Sequence, residues 1–303
     1  PNKRFHDKLW IVDGNDPVNR VAIVGGMNIA NEYFRVGRKA EKIWRDQDFL
    51  VKGNIISDMV KTFERNYIDQ KKIKDKHWIN TDVTWAIWRK NIARKFRGLL
   101  FPKSGDETTI KQIQDIERRS SSLIPPLKSA KAQFFQNRPR YSETFIQQVY
   151  TRSFSQARQK IVLVNAYFIP NKELIESLKQ AARNGAEVTI ITNSPETNDL
   201  PEMAYASRYT YKDLLSVNRD VRAKGSLRIY EWQGHRYGEG TIHAKFAVID
   251  EHTIIGGSYN LDPRSEKLNS ETILVFENEL MAKALTGYEM SVDIKKSRLI
   301  SDV

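Results

Sequence analysis

The sequence predicts an α/β protein in which mixed β-sheets are flanked by helices. Strand and helix patterns alternate beyond residue 140: a helix over 141–158, a strand over 161–168, a helix over 171–184 closed by Gly185, and a strand over 187–192. Such alternation is typical of a sheet covered by helices. Of the 303 residues, 40% are hydrophobic and 10% are aromatic. This composition can form a large packed core and excludes a disordered chain.

Charge and proline content divide the chain into three predicted segments: residues 1–68, a basic insertion or linker over 69–140, and residues 141–303. The middle segment holds 17 Lys and Arg against 7 Asp and Glu, which accounts for +10 of the net charge of +12. Its prolines and serines predict a linker over 102–140, with one short helix over 109–119. A basic segment attracts polyanions, either nucleic acid or an anionic lipid surface.

Within the basic segment, an amphipathic helix is predicted from Thr81 or Asp82 to about residue 99. Large apolar side chains recur along one stripe at helical spacing, and basic side chains lie mostly elsewhere around the axis. Tryptophan and Lys or Arg together suit the headgroup zone of a membrane. An ordinary helix packed on the protein body would give the same pattern, so both interpretations stay open. The residues predicted to bind a membrane are Trp85, Trp88, Arg89, Lys90, Ile92 and Phe96.

Composition excludes several classes of site. The chain has no cysteine, which rules out disulfides, Cys-ligated zinc, iron–sulfur clusters and thiol nucleophiles. The uncharged run over 161–171 is too short to span a bilayer. The chain starts Pro-Asn-Lys-Arg without a leader pattern, so we expect a fragment or a processed product.

A duplicated motif carries the chemical signal. His6-x-Lys8-x4-Asp13 returns 237 residues later as His243-x-Lys245-x4-Asp250. Each copy is followed by a glycine pair and an asparagine, in Gly25-Gly26-Met27-Asn28 and in Gly256-Gly257-Ser258-Tyr259-Asn260. One copy alone would more often be structural, because single His and Lys residues are common in strands and on surfaces. The repetition of the whole pattern predicts one site built from both halves.

Strand periodicity predicts how each motif is presented. We expect strands over 5–12 and 242–249, in which His and Lys share one face while Ala244, Phe246 and Val248 point into the core. The aspartate lies an odd number of residues after the histidine, so it would point away from that face. Asp13 and Asp250 are therefore predicted to be strand-end anchors.

Two imidazoles, two ammonium groups and two amides suit a phosphodiester. Lys8, Lys245, Asn28 and Asn260 would hold the non-bridging oxygens and stabilise charge at phosphorus. One neutral histidine would attack, and the other, protonated, would protonate the leaving oxygen. This chemistry calls for no metal or other cofactor, and it requires unlike environments for His6 and His243.

Each imidazole also needs a partner that fixes its tautomer. Glu271 is the candidate in the second half. Asp46 is the candidate in the first half, with Asp48 as a fallback. We thus expect each histidine to pair with a carboxylate of its own half.

At these residues the sequence resembles the phospholipase D superfamily, whose duplicated H-x-K-x4-D signature is highly specific. The run Asn260-Leu261-Asp262-Pro263-Arg264-Ser265 resembles the bacterial cardiolipin synthase branch, as do Gly25 to Ile29, Tyr33-Phe34 and Trp44-x-Asp46. The likeness covers residues 1 to about 70 and 135–290. One departure is Gly26, which stands where the second copy has the hydroxyl of Ser258; another is residues 15–19, which predict a longer hairpin.

The resemblance implies a two-lobed sandwich with pseudo-twofold related halves, the active site between them, and a first lobe truncated at its N-terminus. It also implies a phosphohistidine intermediate, with His6 as nucleophile, His243 as acid and base, and Glu271 and Asp46 orienting the two rings. The leading hypothesis is a peripheral phosphatidyltransferase of a bacterial envelope that acts on anionic phospholipid membranes. A nuclease of the same superfamily, binding nucleic acid through the basic segment, is the alternative. A catalytically inactive membrane-binding scaffold is disfavoured because both histidines and both lysines are intact.

Overall fold

The computed structural model describes residues 5–34, 43–77, 111 and 129–301. The predicted tryptophan-bearing helix lies outside these residues, so its membrane-binding role stays a prediction. The helix predicted over 109–119 also lies outside them except for Lys111, which is helical. Within the described residues, no helix combines the length and the apolar content needed to cross a bilayer.

The first half forms a small antiparallel sheet and a long helix. Strands β1 (Leu9–Val12), β2 (Val21–Gly25) and β4 (Asp48–Val51) pair in the order β1–β2–β4. β1 and β2 form a hairpin whose loop contains the extra residues 15–19, as predicted, and Asp16 accepts backbone N–H bonds from Val18 and Asn19 within it. The remaining elements of this half are α1 (Asn31–Phe34), β3 (Ile43–Arg45) and α2 (Ile56–His77).

The second half is built on an eight-stranded mixed sheet. Its strands in chain order are β5 (Lys131–Asn137), β6 (Lys160–Asn165), β7 (Glu187–Asn193), β8 (Ser226–Trp232), β10 (Lys245–Ile249), β11 (Thr253–Gly257), β12 (Glu271–Glu277) and β13 (Ser297–Leu299). They lie in the order β13–β8–β7–β6–β10–β11–β12–β5. A separate strand, β9 (Glu239–Ile242), pairs in parallel with β3 of the first half.

Five helices belong to the second half: α3 (Phe145–Gln156), α4 (Lys172–Asn184), α5 (Pro201–Leu215), α6 (Pro263–Lys267) and α7 (Glu279–Tyr288). The limits of α4 follow from its sequence. The Asn171 side chain accepts the N–H of Leu174 at the N-terminus, and Gly185 closes the helix at φ 113°, where a side chain would be strained.

The large sheet separates two hydrophobic cores. One lies between the sheet and helices α3, α4 and α5 and includes Ala247 and Ile249. The other joins the sheet to the first half and includes Phe246 and Val248 together with Val24. The alternation predicted for β10 is therefore confirmed, and the core shared by both halves holds the motif strands together. The mixed α/β architecture predicted from the sequence is also observed.

Three predicted boundaries differ from the structure. The strand predicted over 5–12 begins only at Leu9, and the one predicted over 242–249 is interrupted at His243 and Ala244. Both histidines leave the regular ladder because their N–H groups bond to the opposite half. The predicted linker is wrong over Lys131–Asn137, because those residues pair with all seven residues of β12 as an edge strand.

Candidate active site

Backbone contacts between the halves place each histidine. Phe5 bridges Ser270, and the N–H of His6 donates to the Ser270 carbonyl at 2.9 Å. In the same way β9 lies beside β3, and the N–H of His243 donates to the Arg45 carbonyl at 2.6 Å. Ser270 and Arg45 each precede a carboxylate. Each histidine is consequently held beside the carboxylate of the other half.

His6 lies against Glu271. Its Nδ1 is 2.9 Å from both carboxylate oxygens. The carboxylate also accepts hydroxyl hydrogen bonds from Ser258 at 2.6 Å and Ser265 at 2.7 Å. Burial alone would raise the pKa of Glu271, but His6 and the two hydroxyls outweigh it and lower that pKa below its ordinary value. Glu271 thus stays ionised and holds an Nδ1–H on His6.

His243 lies against Asp46. Its Nδ1 is 2.9 Å from Asp46 Oδ2 and 3.1 Å from the Tyr33 hydroxyl. The rings of Tyr33 and Trp44 lie 5.5 and 5.3 Å from the imidazole, centroid to centroid. The side chain of His243 is only 4% exposed, compared with 26% for His6. The unlike environments that the proposed division of labour requires are therefore present.

These contacts correct the expected pairing. Glu271 was predicted to orient the histidine of its own half and Asp46 that of the first half, whereas Glu271 contacts His6 and Asp46 contacts His243. The reason is the exchange of backbone hydrogen bonds between the halves, which spacing along one half does not reveal. The fallback Asp48 contacts neither ring in the described hydrogen bonds; it accepts the N–H of Met27 at 3.3 Å.

The two lysines are buried beside the rings. The ammonium of Lys8 donates to the carbonyl of His6 at 3.1 Å, and that of Lys245 donates to the carbonyl of His243. Lys8 is 7% exposed and Lys245 is fully buried. Burial lowers the pKa of both, to about 8 for Lys245.

The charges of Lys8 and Lys245 act on the imidazole of His243. Burial lowers the pKa of His243 well below 6.5, and the charges of Lys245, Lys8 and His6 lower it further. Burial also raises the pKa of Asp46, against the opposing effect of Lys245. His243 is therefore neutral at pH 7 in the empty site, and the two motifs share one electrostatic environment.

The two motif asparagines differ in burial and contacts. Asn28 is exposed, and its amide donates to the Tyr33 hydroxyl at 3.0 Å, on the His243 side. Asn260 is 3% exposed, and its N–H donates to the Ser265 hydroxyl at 3.2 Å, on the Glu271 side. The buried Oδ1 of Asn260 has no hydrogen-bond partner within the described part of the protein. Because this amide oxygen accepts, it suits a hydroxyl donor and not a phosphate oxygen.

The motif aspartates lie at strand ends. Asp250 has φ 50°, and its carboxylate accepts the backbone N–H groups of Arg158, Gln159 and Lys160. It therefore ties the end of β10 to the start of β6, as an anchor would. Asp13 occupies the matching position with φ 52°, and its carbonyl accepts the N–H of Asp16 in the hairpin.

Gly26 has a steric reason to lack a side chain. A Cβ on this residue would lie 2.4 Å from Asp46 Oδ1 and 2.9 Å from the His243 carbonyl. In the second motif Ser258 occupies the matching position. Its hydroxyl donates to the carboxylate of Glu271, a side chain one methylene longer than that of Asp46. The two motifs thus use different pairs, Gly with Asp and Ser with Glu.

Four further residues contact a histidine or its carboxylate partner, and the sequence assigned none of them a role: Tyr33, Trp44, Ser265 and Arg45. Tyr33, Trp44 and Ser265 were visible only as letters of the family-like motifs, and no local rule links them to a ring. No three His, Asp or Glu side chains in 5–34, 43–77 and 129–301 are grouped as metal ligands would be.

Comparisons with known proteins agree with this geometry. The family model described as cardiolipin synthase, PLD-like domain matches residues 150–289. Cardiolipin synthase 1 of Staphylococcus epidermidis is 28% identical over 99% of this chain and 49% of its own length. Cardiolipin synthase C of Escherichia coli K12 is 27% identical over 94% of this chain and 60% of its own length.

A solved structure shares the fold. Phosphatidylserine synthase of Haemophilus influenzae superposes with a TM-score of 0.61 and 16% identity, over 98% of this chain and 62% of that one. The chain spans about half to three fifths of the length of these relatives. With the twin histidine–lysine motifs meeting across two halves, these matches show that the chain is similar to the phospholipase D superfamily and, within it, to the cardiolipin synthases.

Proposed function

We propose that this site transfers a phosphatidyl group between alcohols through a phosphohistidine intermediate, as a cardiolipin synthase-like enzyme. The observation that carries the proposal is the pairing of each motif histidine with a buried carboxylate of the opposite half, beside two buried ammonium groups. Such an arrangement can bind the anionic group of a phosphodiester, and it leaves Nε2 of each histidine available to react with it.

The proposed first step is attack by Nε2 of neutral His6 on the phosphorus of a phosphodiester. The bond from phosphorus to the leaving alkoxide breaks, and protonated His243 gives its proton to that oxygen. In the second step neutral His243 takes the proton of the incoming alcohol, whose oxygen displaces His6. Lys8, Lys245, Asn28 and Asn260 hold the non-bridging oxygens in both steps.

This division requires a proton on His243, which the empty site disfavours. Burial is the largest cause of its lowered pKa, and the ammonium charges of Lys245 and Lys8 add to it. A phosphodiester anion bound between the same ammonium groups offsets those charges. Substrate binding would therefore raise the pKa of His243 towards the range in which it can act as the acid.

Phospholipids are the proposed substrates because the relatives named above are cardiolipin synthases and a phosphatidylserine synthase. The basic segment with its predicted amphipathic helix would hold the protein peripherally on an anionic membrane of the bacterial envelope. The same segment is the reason to retain a nuclease as the second candidate.

An assay on vesicles separates the two candidates. The intact protein is incubated with phosphatidylglycerol vesicles, and in parallel with single- and double-stranded DNA. We expect cardiolipin and free glycerol, and we expect His6→Ala and His243→Ala to abolish both. His252→Asn is the matched control, since His252 is exposed and, among the described hydrogen bonds, its side chain contacts only the Thr253 hydroxyl. Cleavage of DNA with no lipid product would replace the proposal by the nuclease.

The intermediate has its own test. Acid-labile phosphoryl adducts are trapped by rapid alkaline or denaturant quench during turnover and mapped by mass spectrometry. We expect the adduct on His6 in the unmodified protein and its absence in His6→Asn, which lacks the nucleophile. An adduct confined to His243 would reverse the two roles.

A further inference from the structure

A buried ionic cluster connects the C-terminal part of the chain to the first half. The guanidinium of Arg45 donates through Nη2 to Glu289 Oε1 at 2.7 Å and through Nε to Asp293 Oδ2 at 3.1 Å. Both acids are at most 1% exposed, and the Arg45 side chain is 15% exposed. We call Glu289, Arg45 and Asp293 the arginine clamp. A buried guanidinium held by two acid side chains fixes geometry, because displacement of a partner would leave the buried charge without its hydrogen bonds.

The position of both acids depends on an unusual helical turn. Helix α7 continues into a π-helical turn over Glu289–Asp293, which presents both carboxylates to one guanidinium. The ring of Tyr288 adds a cation–π contact, with its centroid 5.0 Å from Arg45 Cζ. Single π-helical turns are rare and occur often at functional sites.

Arg45 reaches the candidate active site through its own backbone. Its carbonyl accepts the N–H of His243 at 2.6 Å and that of Ala244 at 3.2 Å. Its Nη1 donates to the carbonyl of Asp46, the residue whose carboxylate contacts the His243 ring. Arg45 therefore links the two buried acids, Glu289 and Asp293, to both members of the His243–Asp46 pair.

The other histidine has a different support. Glu271 is fixed by hydrogen bonds to its own carboxylate from Ser258 and Ser265. Asp46 receives no hydroxyl from the matching position, because Gly26 stands there, and besides His243 its carboxylate accepts the N–H of Gln47 at 2.8 Å. Its orientation accordingly depends on where its backbone is held.

We infer that the arginine clamp is a positioning device for the His243–Asp46 pair, through which the turn at Glu289–Asp293 sets the geometry of the proposed acid and base. The expected effect on kcat rests on the proposed function, whereas the expected effect on the position of the His243 ring does not. Arg45, Glu289 and Asp293 are positioning residues, because they act through the backbone of residues 45 and 46.

The experiment compares two arginines that each bind buried carboxylates. Arg45→Gln removes the clamp, whereas Arg208→Gln removes the bidentate contact to buried Glu231, at 2.7 Å for both bonds. Each variant is examined by thermal unfolding, by NMR of the His243 Nδ1–H and its ¹⁵N shift, and by kcat and KM on a short-chain phosphatidylglycerol. Arg45→Lys serves as the milder variant if Arg45→Gln does not fold.

We expect Arg45→Gln to move the His243 Nδ1 signals and to lower kcat roughly tenfold to hundredfold, with KM little changed, because small misplacements of a reacting group are costly. Arg45→Lys should lie between Arg45→Gln and the unmodified protein. Arg208→Gln should lower the unfolding temperature while the His243 signals and kcat stay as they were.

Unchanged His243 signals in Arg45→Gln, or equal losses of kcat in both arginine variants, would reduce the clamp to a structural role and overturn the inference. If the unmodified protein transfers no lipid, the proposed function fails, yet the NMR comparison still decides the positioning role. The two failures are thus distinguishable.

Discussion

At the scale of single residues, His6 and His243 differ chiefly in access to water and in the charges around them. His6 is partly exposed and faces the ionised Glu271, while His243 is enclosed by Tyr33, Trp44 and two ammonium groups. Identical side chains in a duplicated motif thus lie in different surroundings, and burial holds the pKa of His243 well below its ordinary value.

Exchange of the carboxylates between halves leads to a residue-specific prediction. Glu271→Gln should disturb the Nδ1 signals of His6 and leave those of His243 nearly unchanged, and Asp46→Asn should do the opposite. Each change should lower kcat on the order of 10³- to 10⁴-fold, since a carboxamide stabilises the wrong tautomer. NMR of the ring nitrogens and steady-state kinetics provide the measurements.

The control for this pair is Asp48→Asn, which alters a nearby acid that contacts neither ring. Asp48 accepts the N–H of Met27 and no described hydrogen bond joins it to either imidazole, so its replacement should change neither set of Nδ1 signals. Should Glu271→Gln instead perturb His243, the pairing across the halves would be wrong.

At the scale of elements, the motif strands end at residues whose backbone is left-handed. Asp13 and Asp250 both have φ near 50°, and Asp250 gathers three successive N–H groups at the start of β6. These contacts lie at the opposite end of the strand from Lys245. We therefore expect the aspartate of each motif to stabilise the strand end and to take no part in the reaction.

Replacement of Asp250 tests this element. We expect Asp250→Ala to lower the free energy of unfolding by about 1–3 kcal/mol, because backbone donors lose a carboxylate acceptor and Ala tolerates positive φ poorly. Asp250→Asn keeps one acceptor oxygen and the left-handed preference, so its loss should be smaller. Urea unfolding measures both.

Below the unfolding transition, kcat of both Asp250 variants should stay within about twofold of the unmodified protein, as expected when the reacting groups are untouched. A large fall in kcat at unchanged stability would assign Asp250 to the site itself.

At the scale of the whole molecule, the site exists only where the two halves meet. The charges that lower the pKa of His243 come from Lys8 and His6 of the first half as well as Lys245 of the second. The shared core, in which Val24 packs with Phe246 and Val248, keeps these groups together. Neither half alone contains both members of either histidine–carboxylate pair.

This shared environment predicts the pH dependence. The proposed acid must be protonated, and a lowered pKa means that the proton is lost at lower pH. The decline of kcat/KM with rising pH, which reports the free enzyme, should therefore have its midpoint below 6.5. The decline of kcat should lie at higher pH, because bound phosphodiester offsets the ammonium charges.

A further fall is expected above pH 8, where Lys245, with a pKa of about 8, loses its charge. Rates are measured from pH 5 to 9 on a short-chain phosphatidylglycerol. A kcat/KM profile that is flat up to pH 8 would contradict the assignment of His243 as the acid.

The sequence by itself predicted the candidate reacting groups and much of the local structure. The repeated His and Lys marked both motifs, alternation predicted the faces of β10, and Asn171 and Gly185 marked the ends of α4. These features depend on neighbours only a few residues apart, where strand period, capping and turn geometry decide the outcome.

Only the tertiary structure decided which carboxylate serves which ring. His6 and Glu271 are 265 residues apart, and His243 and Asp46 are 197 apart. The pairing follows from backbone hydrogen bonds that cross between the halves, and the lowered pKa of His243 follows from burial there. Neither is fixed by spacing along the chain, because desolvation and contacts between distant segments arise only when both halves pack together.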